Sequence, residues 1–184
     1  MIGVDFGGVL ARAQSGDETA FARIFRDVQP ALLRYLRVIA PEYADDVAGD
    51  TWENVVAGLP GFRGGEKAFR GWLFTIARHR AADRGRSRAR RRTIPLADSG
   101  AEELLTVPDA ADLVIERMST QAALAAVATL PTEQAEIIML RVVAGLDARQ
   151  VADITGKSPG AVRVAAHRAL RRLAELATRA GVTT

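Results

Sequence analysis

Three carboxylates, Asp46, Asp50 and Glu53, are spaced four and three residues apart, as acid–base pairs or ligands of a hard cation could be. In a helix this spacing places them along one solvent-facing side. No histidine and no glycine-rich phosphate-binding loop accompanies them, which argues against catalysis and metal binding. The pattern favours an acidic stripe that contacts a basic protein partner, and plain solvation of a helix face is the remaining interpretation.

The composition excludes further kinds of chemistry. The 184 residues include no cysteine, so disulfides, cysteine-ligated zinc, iron–sulfur clusters and thiol nucleophiles are excluded. The two histidines, His79 and His167, lie far apart in the sequence, and neither a histidine metal site nor a catalytic triad is expected. We therefore predict a protein that is not an enzyme and uses no metal or cofactor.

The hydropathy pattern predicts a soluble protein. Apolar residues make up 48% of the chain, which is sufficient for a globular core. No apolar run approaches the roughly 18 residues needed to span a bilayer. The first residues lack the basic segment and apolar stretch of a signal peptide. We expect a cytoplasmic location and no membrane insertion.

Arginine and aromatic residues together suggest contact with nucleic acid. Residues 78–92 hold eight arginines and one aspartate, and Phe62, Phe69 and Trp72 precede them beside a glycine-rich loop. Single-stranded nucleic acid binds to such combinations because bases stack on rings while arginines follow the phosphates. The alternatives are a solvated helix end for the arginines and a core position for Phe69, which is the favoured interpretation of Phe69.

A change in charge divides the chain into two parts. Residues 93–112 contain five acidic residues, no basic one, two prolines and a glycine, a composition typical of a linker. No alternating pattern typical of a strand occurs on either side. We therefore predict an all-α protein with two small helical domains, residues 1–92 and 113–184, joined by a flexible acidic linker over 93–112.

Apolar periodicity predicts three helices in the first domain, over residues 17–40, 43–58 and 66–88. Ser15 and Glu18 have the spacing of a capping box at the first of these. Pro30 lies inside that helix and predicts either a kink or a division into two helices.

The second domain contains the most specific local motif of the chain. After helices predicted over 113–130 and 132–144, Asp147 and Gln150 form a capping box, Gly156 ends the next helix, and Ser158 and Pro159 begin the last one. Two helices joined by so short a turn match a helix-turn-helix. The last helix has a predicted core face of Val162, Ala165, Ala166, Ala169, Leu170 and Leu173, and it carries the basic residues Arg163, His167, Arg168, Arg171 and Arg172. A basic face suits a major groove, and a helical hairpin with a solvated face is the alternative.

The order of these segments resembles that of an extracytoplasmic-function sigma factor, a member of the sigma-70 family of bacterial transcription initiation factors. The resemblance runs from about Ala13 to Leu176. It is carried by SGDETAFARIFRDVQPALLRYL, DDVAGDTWENVVAGLPGFRG, FRGWLFTIARHRAADRGRSRARR and the segment from ALAAVATLP through the helix-turn-helix to RALRRL.

The resemblance implies that residues 1–92 are sigma region 2 and residues 113–184 are sigma region 4. Region 2 would bind the β′ clamp of RNA polymerase core through Asp46, Asp50, Trp52 and Glu53. It would recognise and help to open the minus-ten element through Phe62, Arg63, Lys67, Arg70, Trp72, Arg78, His79, Arg80 and Arg84. Region 4 would recognise the minus-thirty-five element through Ser158, Arg163, His167, Arg168 and Arg171, with its outer face on the β flap.

By the same resemblance, the chain would direct RNA polymerase to promoter DNA and an anti-sigma factor would be a further partner. A stand-alone helix-turn-helix regulator is the alternative function. That alternative accounts for residues 113–184 but leaves FRGWLFTIARHR and the acidic helix without a role. An RNA-binding or scaffolding helical protein is a third class.

Overall fold

The computed structural model describes residues 2–91 and 121–179. All regular elements in these two ranges are helical, which confirms the all-α prediction. The predicted linker over 93–112 and the start of the helix predicted from residue 113 lie outside the described residues. Within the described ranges, no helix is both long and apolar enough to cross a membrane.

The first helical unit, residues 2–91, consists of four helices: α1 (Phe6–Gln14), α2 (Glu18–Ile39), α3 (Ala44–Gly58) and α4 (Glu66–Arg91). Short 3-10 turns precede α1 and α3 and follow α3. Helix α1 was not among the predicted helices, although its buried residues Phe6, Val9, Leu10 and Ala13 have helical spacing. The other three helices match the predicted ones to within a few residues.

Helix α2 begins differently from the sequence prediction. Its N-cap is Asp17, whose Oδ1 accepts a hydrogen bond from the Ala20 N–H at 2.9 Å. Ser15 instead donates to the Arg12 carbonyl in the turn that ends α1, so the predicted Ser15 cap is wrong. The helix also continues through Pro30 without dividing into two.

The core of the first unit forms where α2, α3 and α4 meet. Tyr35, Phe69, Phe74 and Leu73 are among its fully buried side chains, and each large apolar residue contributes roughly 1.5–3 kcal/mol on burial. On α3 the residues Val47, Ala48, Thr51 and Val55 are buried, and so is the following Leu59. This packing leaves the opposite side of α3 to solvent.

The second helical unit, residues 121–179, contains α5 (described over 121–128), α6 (Thr132–Ile138), α7 (Ala148–Thr155) and α8 (Pro159–Arg179). A π-helical segment, Met139–Val143, follows α6. A single helix over 132–144 was predicted, and the change of hydrogen-bond pattern at Met139 was not.

The helix-turn-helix forms as its capping residues predict. Asp147 and Gln150 make the reciprocal bonds of a capping box, and Gly156 ends α7 in the left-handed conformation at φ 70°. Ser158 Oγ accepts from the Ala161 N–H at 3.1 Å, which caps α8. Val162 and Ala169 are fully buried, so α8 packs against the unit as expected, but Leu170 is 53% exposed and its predicted core position is wrong.

The two units contact each other through α2 and α4 on one side and α6, the π-helical segment and α7 on the other. Glu136 lies at the centre of this contact, where its Oε1 accepts from Tyr35 Oη at 3.1 Å and from Arg78 Nε at 2.9 Å. Burial raises the pKa of Tyr35 well above its ordinary value, and the negative charge of Glu136 raises it further. Tyr35 therefore stays protonated and donates its hydrogen bond.

Candidate nucleic-acid and polymerase interfaces

Three aromatic rings form a platform where the glycine-rich loop, residues 59–65, meets α4. Phe62 and Trp72 are stacked with centroids 5.0 Å apart and ring planes 24° apart. Phe69 meets both rings edge-on at 5.6 and 5.8 Å. Phe69 is fully buried, which confirms its core position, whereas Phe62 and Trp72 are half-buried. Phe62 and Trp72 are therefore the two rings of the platform that solvent partly reaches.

Two glycines, Gly58 at the end of α3 and Gly64 in the loop, allow the backbone to approach this platform closely. A Cβ on Gly58 would lie 2.7 Å from the Trp72 ring, and one on Gly64 would lie 2.9 Å from the Ala68 Cβ and 3.1 Å from the Phe62 ring. Gly64 also has φ +153°, which disfavours other residues. At these two positions the backbone and the rings thus pack without room for an added side chain.

The predicted basic contacts in the loop and in α4 fall into two groups by environment. Arg63, Lys67 and His79 are exposed to solvent. Arg63 donates to the Pro60 and Phe62 carbonyls, and the Lys67 carbonyl accepts from the Gln150 side chain of α7 at 2.8 Å. The Lys67 and His79 side chains thus face solvent.

The other four, all on α4, are engaged within the protein. Arg70 is only 6% exposed and its Nη2 donates to Asp27 at 2.8 Å. Arg78 pairs with Glu136, Arg80 donates to Asn54 Oδ1 at 2.7 Å, and Arg84 pairs with Asp50 at 2.9 Å. Burial leaves Arg70 a structural role in this conformation, while the other three are partly exposed.

The acidic face of α3 is where its spacing predicts. Asp46 and Glu53 are exposed and Asp50 is half-exposed. Arg84 of α4 bridges this face, with Asp50 as its first partner and Asp46 at 3.8 Å, and these bonds raise the pKa of Arg84. Among the described residues, no cluster of three or more potential metal ligands occurs.

Trp52 does not lie on this acidic face. It is 7% exposed, its indole N–H donates to Gln29 Oε1 at 2.6 Å, and its ring packs against Phe21 and Phe25 of α2. In this structure Trp52 is therefore part of the core, and the predicted polymerase contact by its side chain would require it to leave that position.

The basic residues of α8 are open to solvent. Arg163, His167, Arg168, Arg171 and Arg172 are all exposed. Arg171 pairs with Glu175 one turn later at 3.1 Å. Within the described ranges, Arg163 and Arg168 have no hydrogen-bond or ion-pair partner. Ser158 is exposed but engaged as the cap of α8.

Several residues that shape these interfaces were not identified in the sequence. Gln14, Asp27, Gln29 and Glu136 each bond to a residue more than 20 positions away. Nothing in the local spacing around a lone glutamine or carboxylate indicates a distant partner, so only the folded chain reveals these contacts.

Comparison with known families gives two matches in chain order. Residues 24–91 match the family described as sigma-70 region 2, and residues 120–173 match the family described as sigma-70, region 4. The first match covers α3, α4 and most of α2, and the second covers the helix-turn-helix. Both predicted modules are thus present in one chain.

Curated relatives extend the similarity over nearly the whole chain. The chain is 34% identical to the ECF RNA polymerase sigma factor SigD of Mycobacterium tuberculosis over 98% of this chain and 88% of that protein. It is 36% identical to the ECF RNA polymerase sigma factor ShbA of Streptomyces griseus over 93% of this chain and 94% of that protein. The chain belongs to the ECF sigma factors.

Solved structures support the same fold for this ECF sigma factor. The sigma factor RpoE of Bartonella quintana, in complex with the anti-sigma factor NepR, matches with a TM-score of 0.63 and 25% identity over 86% of this chain and 96% of that one. CnrH, in complex with the cytosolic domain of CnrY, matches with a TM-score of 0.59 and 24% identity over 93% of this chain and 96% of that one. The similarity to CnrH concerns the fold alone.

Proposed function

We propose that this ECF sigma factor directs bacterial RNA polymerase to specific promoters and assists strand opening there, without chemistry of its own. One observation carries this proposal: the chain forms a capped helix-turn-helix, and its second helix, α8, exposes its basic residues to solvent. A stand-alone regulator would leave the region 2 match over residues 24–91 without a role. Because bacterial RNA polymerase acts in the cytoplasm, this proposal implies a cytoplasmic location for the protein.

Region 4 reads the minus-thirty-five element in this proposal. Arg163 and His167 lie one turn apart near the start of α8 and are both exposed. A recognition helix enters the major groove with its N-terminal residues toward base edges. Arg163 and His167 are therefore the base-reading candidates, while Arg168 and Arg171 neutralise phosphates. Ser158 fixes the start of the helix.

Region 2 holds the minus-ten element as a single strand. The stacked Phe62 and Trp72 rings accept an unpaired base, and the exposed Arg63, Lys67 and His79 lie within the same segment of chain. Base–aromatic stacking contributes about 1–3 kcal/mol per base. Arg78, Arg80 and Arg84 join this surface when DNA phosphates replace their internal partners, whereas Arg70 supports the fold from within.

The polymerase contacts lie on other surfaces. Asp46, Asp50 and Glu53 offer a carboxylate stripe to the β′ clamp, and region 4 meets the β flap through its outer face. Two small modules bind DNA weakly on their own, and a shared scaffold makes the second contact intramolecular. In this proposal region 2 comprises residues 1–92, the linker residues 93–112 and region 4 residues 113–184. An anti-sigma factor is a further partner, as NepR is for the sigma factor RpoE of Bartonella quintana.

Run-off transcription tests the proposal directly. Core RNA polymerase with and without the purified chain is offered genomic fragments, and start sites are mapped. The proposal predicts discrete starts that depend on the chain and share two upstream elements. It is contradicted if transcription is unchanged by the chain, or if the isolated chain binds the same duplex DNA as specifically as the polymerase complex does.

Arg163→Ala, with Arg172→Ala as its control, locates the reading surface. The two arginines are nine residues apart on α8, which is two and a half turns and hence opposite sides of the helix. A lost bidentate base contact costs about 1–3 kcal/mol of discrimination, so Arg163→Ala should reduce preference for the native minus-thirty-five sequence about ten-fold. Arg172→Ala should not. Equal losses in both variants would indicate a general charge effect.

A further inference from the structure

The amide of Gln14, at the end of α1, bonds to both sides of the 3-10 turn in the glycine-rich loop. Its Nε2 donates to the Leu59 carbonyl at 2.9 Å and to the Phe62 carbonyl at 2.8 Å. A carboxamide nitrogen has two N–H donors, and here both are used on the loop backbone. The side chain is partly buried, so these bonds are shielded from full competition by water.

A second contact from the N-terminal segment holds the other end of the loop. The Glu66 carboxylate, at the first position of α4, accepts from the Ile2 N–H at 3.1 Å and from the Gly3 N–H at 2.8 Å. Residues 2–14 therefore bond to the first residue of the loop, to the residue just after its 3-10 turn and to Glu66, which directly follows the loop.

Packing fixes α1 in the position that these bonds require. Phe6, Val9, Leu10 and Ala13 are buried, and the Phe6 ring lies 5.7 Å from Phe69. Phe69 in turn contacts Phe62 and Trp72. The aromatic platform and the backbone of the loop are thus both supported from α1, which lies before the residues matched by the region 2 family.

A loop with Gly61, Gly64 and Gly65 needs such support to hold one conformation. Glycine loses more conformational freedom on ordering than any other residue, and a loop ordered before binding avoids that loss at the binding step. Arg63 also bonds to the Phe62 carbonyl, but it belongs to the loop and cannot anchor it to the fold.

From this geometry we infer that Gln14 is a positioning residue for minus-ten recognition: it holds residues 59–65 in the conformation that places Phe62 against an unpaired base. This inference rests on the proposed function of the loop. Gln14 itself does not touch the DNA. The N-terminal helix is then part of the reading apparatus and not only of the core.

The test compares isosteric and donor-restoring variants in the full chain. Gln14→Glu keeps the shape but presents oxygens to two carbonyls, and Gln14→Lys supplies N–H donors again. Gln121→Glu and Gln121→Lys, at an exposed position of α5, match the two changes in charge. Reconstituted polymerase is assayed on a promoter found by run-off transcription, with permanganate reactivity of thymines reporting strand opening.

Gln14→Glu should lower strand opening, and discrimination among minus-ten sequences, about ten-fold relative to Gln121→Glu, as two hydrogen bonds of ordinary strength are lost. Gln14→Lys should restore both to within about two-fold of Gln121→Lys. Discrimination at the minus-thirty-five element and affinity for core polymerase should not change. If Gln14→Glu does not fold, Gln14→Met removes the donors without adding charge and carries the same expectation.

Two results would overturn the inference. One is that Gln14→Glu and Gln121→Glu open the promoter equally well. The other is that Gln14→Glu lowers minus-ten and minus-thirty-five discrimination in parallel, as general destabilisation would. Either result, with the unaltered chain active, leaves the proposed function intact. The proposed function itself fails if the unaltered chain does not direct polymerase to promoters.

Discussion

The two basic helices of this sigma factor differ in what their arginines do before DNA arrives. On α4, Arg70, Arg78, Arg80 and Arg84 all bond to side chains of the protein. On α8, Arg163 and Arg168 face solvent and have no such partner in the described parts of the chain. The same side chain is thus engaged at four positions of α4 and open at two positions of α8.

The difference has a direct consequence for binding. A phosphate that approaches Arg163 or Arg168 on α8 displaces only water and counterions, whereas one that approaches these arginines of α4 must replace an aspartate, a glutamate or an asparagine. For the exposed Arg84 pair that exchange costs little, since surface ion pairs contribute about 0–1 kcal/mol. For Arg78 it also breaks a contact between the two units. Arg163 and Arg168 of α8 are therefore available to duplex DNA at once. The arginines of α4 become available to phosphate only as their bonds within the protein break.

Arg70→Ala should have the largest effect, on stability. Arg70 and Asp27 are mostly buried, with side-chain exposures of 8% and 17%, and removal of one partner from a buried ion pair costs about 3 kcal/mol or more. Urea unfolding followed by tryptophan fluorescence measures this loss, since both tryptophans, Trp52 and Trp72, lie in the first unit.

Arg163→Ala is the matched control because it removes the same side chain from an open position on α8. Its effect on the free energy of unfolding should stay within about 0.5 kcal/mol. Equal stability of the two variants would show that the Arg70–Asp27 pair does not stabilise the first unit. The engaged arginines of α4 would then differ less from the open ones of α8 than the structure indicates.

The contrast also shows how far the sequence could predict this molecule. Helical periodicity and capping residues act over a few positions, so α3, the capping box at Asp147 and the turn at Gly156 were predicted correctly. The exposed face of α8 follows from the same periodicity. Leu170 was assigned to the core because its apolar character outweighed its position on the helix.

Long-range partners could not be predicted in the same way. Arg70 and Arg84 have the same side chain and both lie on α4, but Asp27 lies beside one and Asp50 beside the other only because α2 and α3 pack against α4. Trp52 was placed on the polymerase surface by resemblance, whereas Gln29 and two phenylalanines of α2 enclose it. Sequence spacing within a helix carries no information on which helix lies opposite.

Asp50→Asn should have an intermediate effect, on DNA affinity. It weakens the bond that holds Arg84 and leaves that guanidinium available to phosphate. A surface pair of about 0.5 kcal/mol corresponds to a gain of about two- to three-fold in affinity for a single-stranded minus-ten oligonucleotide. Fluorescence anisotropy at low salt measures this gain, and the difference should shrink as salt is added.

Asp153→Asn is the matched control for that gain. It removes the same charge from an exposed site on α7, for which the structure shows no arginine partner in the described ranges. An equal gain in the two variants would mean that net charge alone governs the affinity, and that Arg84 was as available as the arginines of α8 from the start.

The smallest effect concerns acid stability of the second unit, where backbone groups and not arginines are the main partners of a carboxylate. The N–H of Gln150, followed by that of Arg149, lowers the pKa of Asp147 below its ordinary value of 3.8. A carboxylate whose pKa is lowered in the folded state adds stability at pH values above its ordinary pKa, and this contribution is lost as pH falls through the folded pKa.

Asp147→Asn keeps a capping side chain that does not titrate. The fall in the urea midpoint from about pH 5 to about pH 3, followed by circular dichroism, should therefore be slightly smaller than in Asp153→Asn. An identical fall in both variants would show that the cap of α7 does not depend on the charge of Asp147.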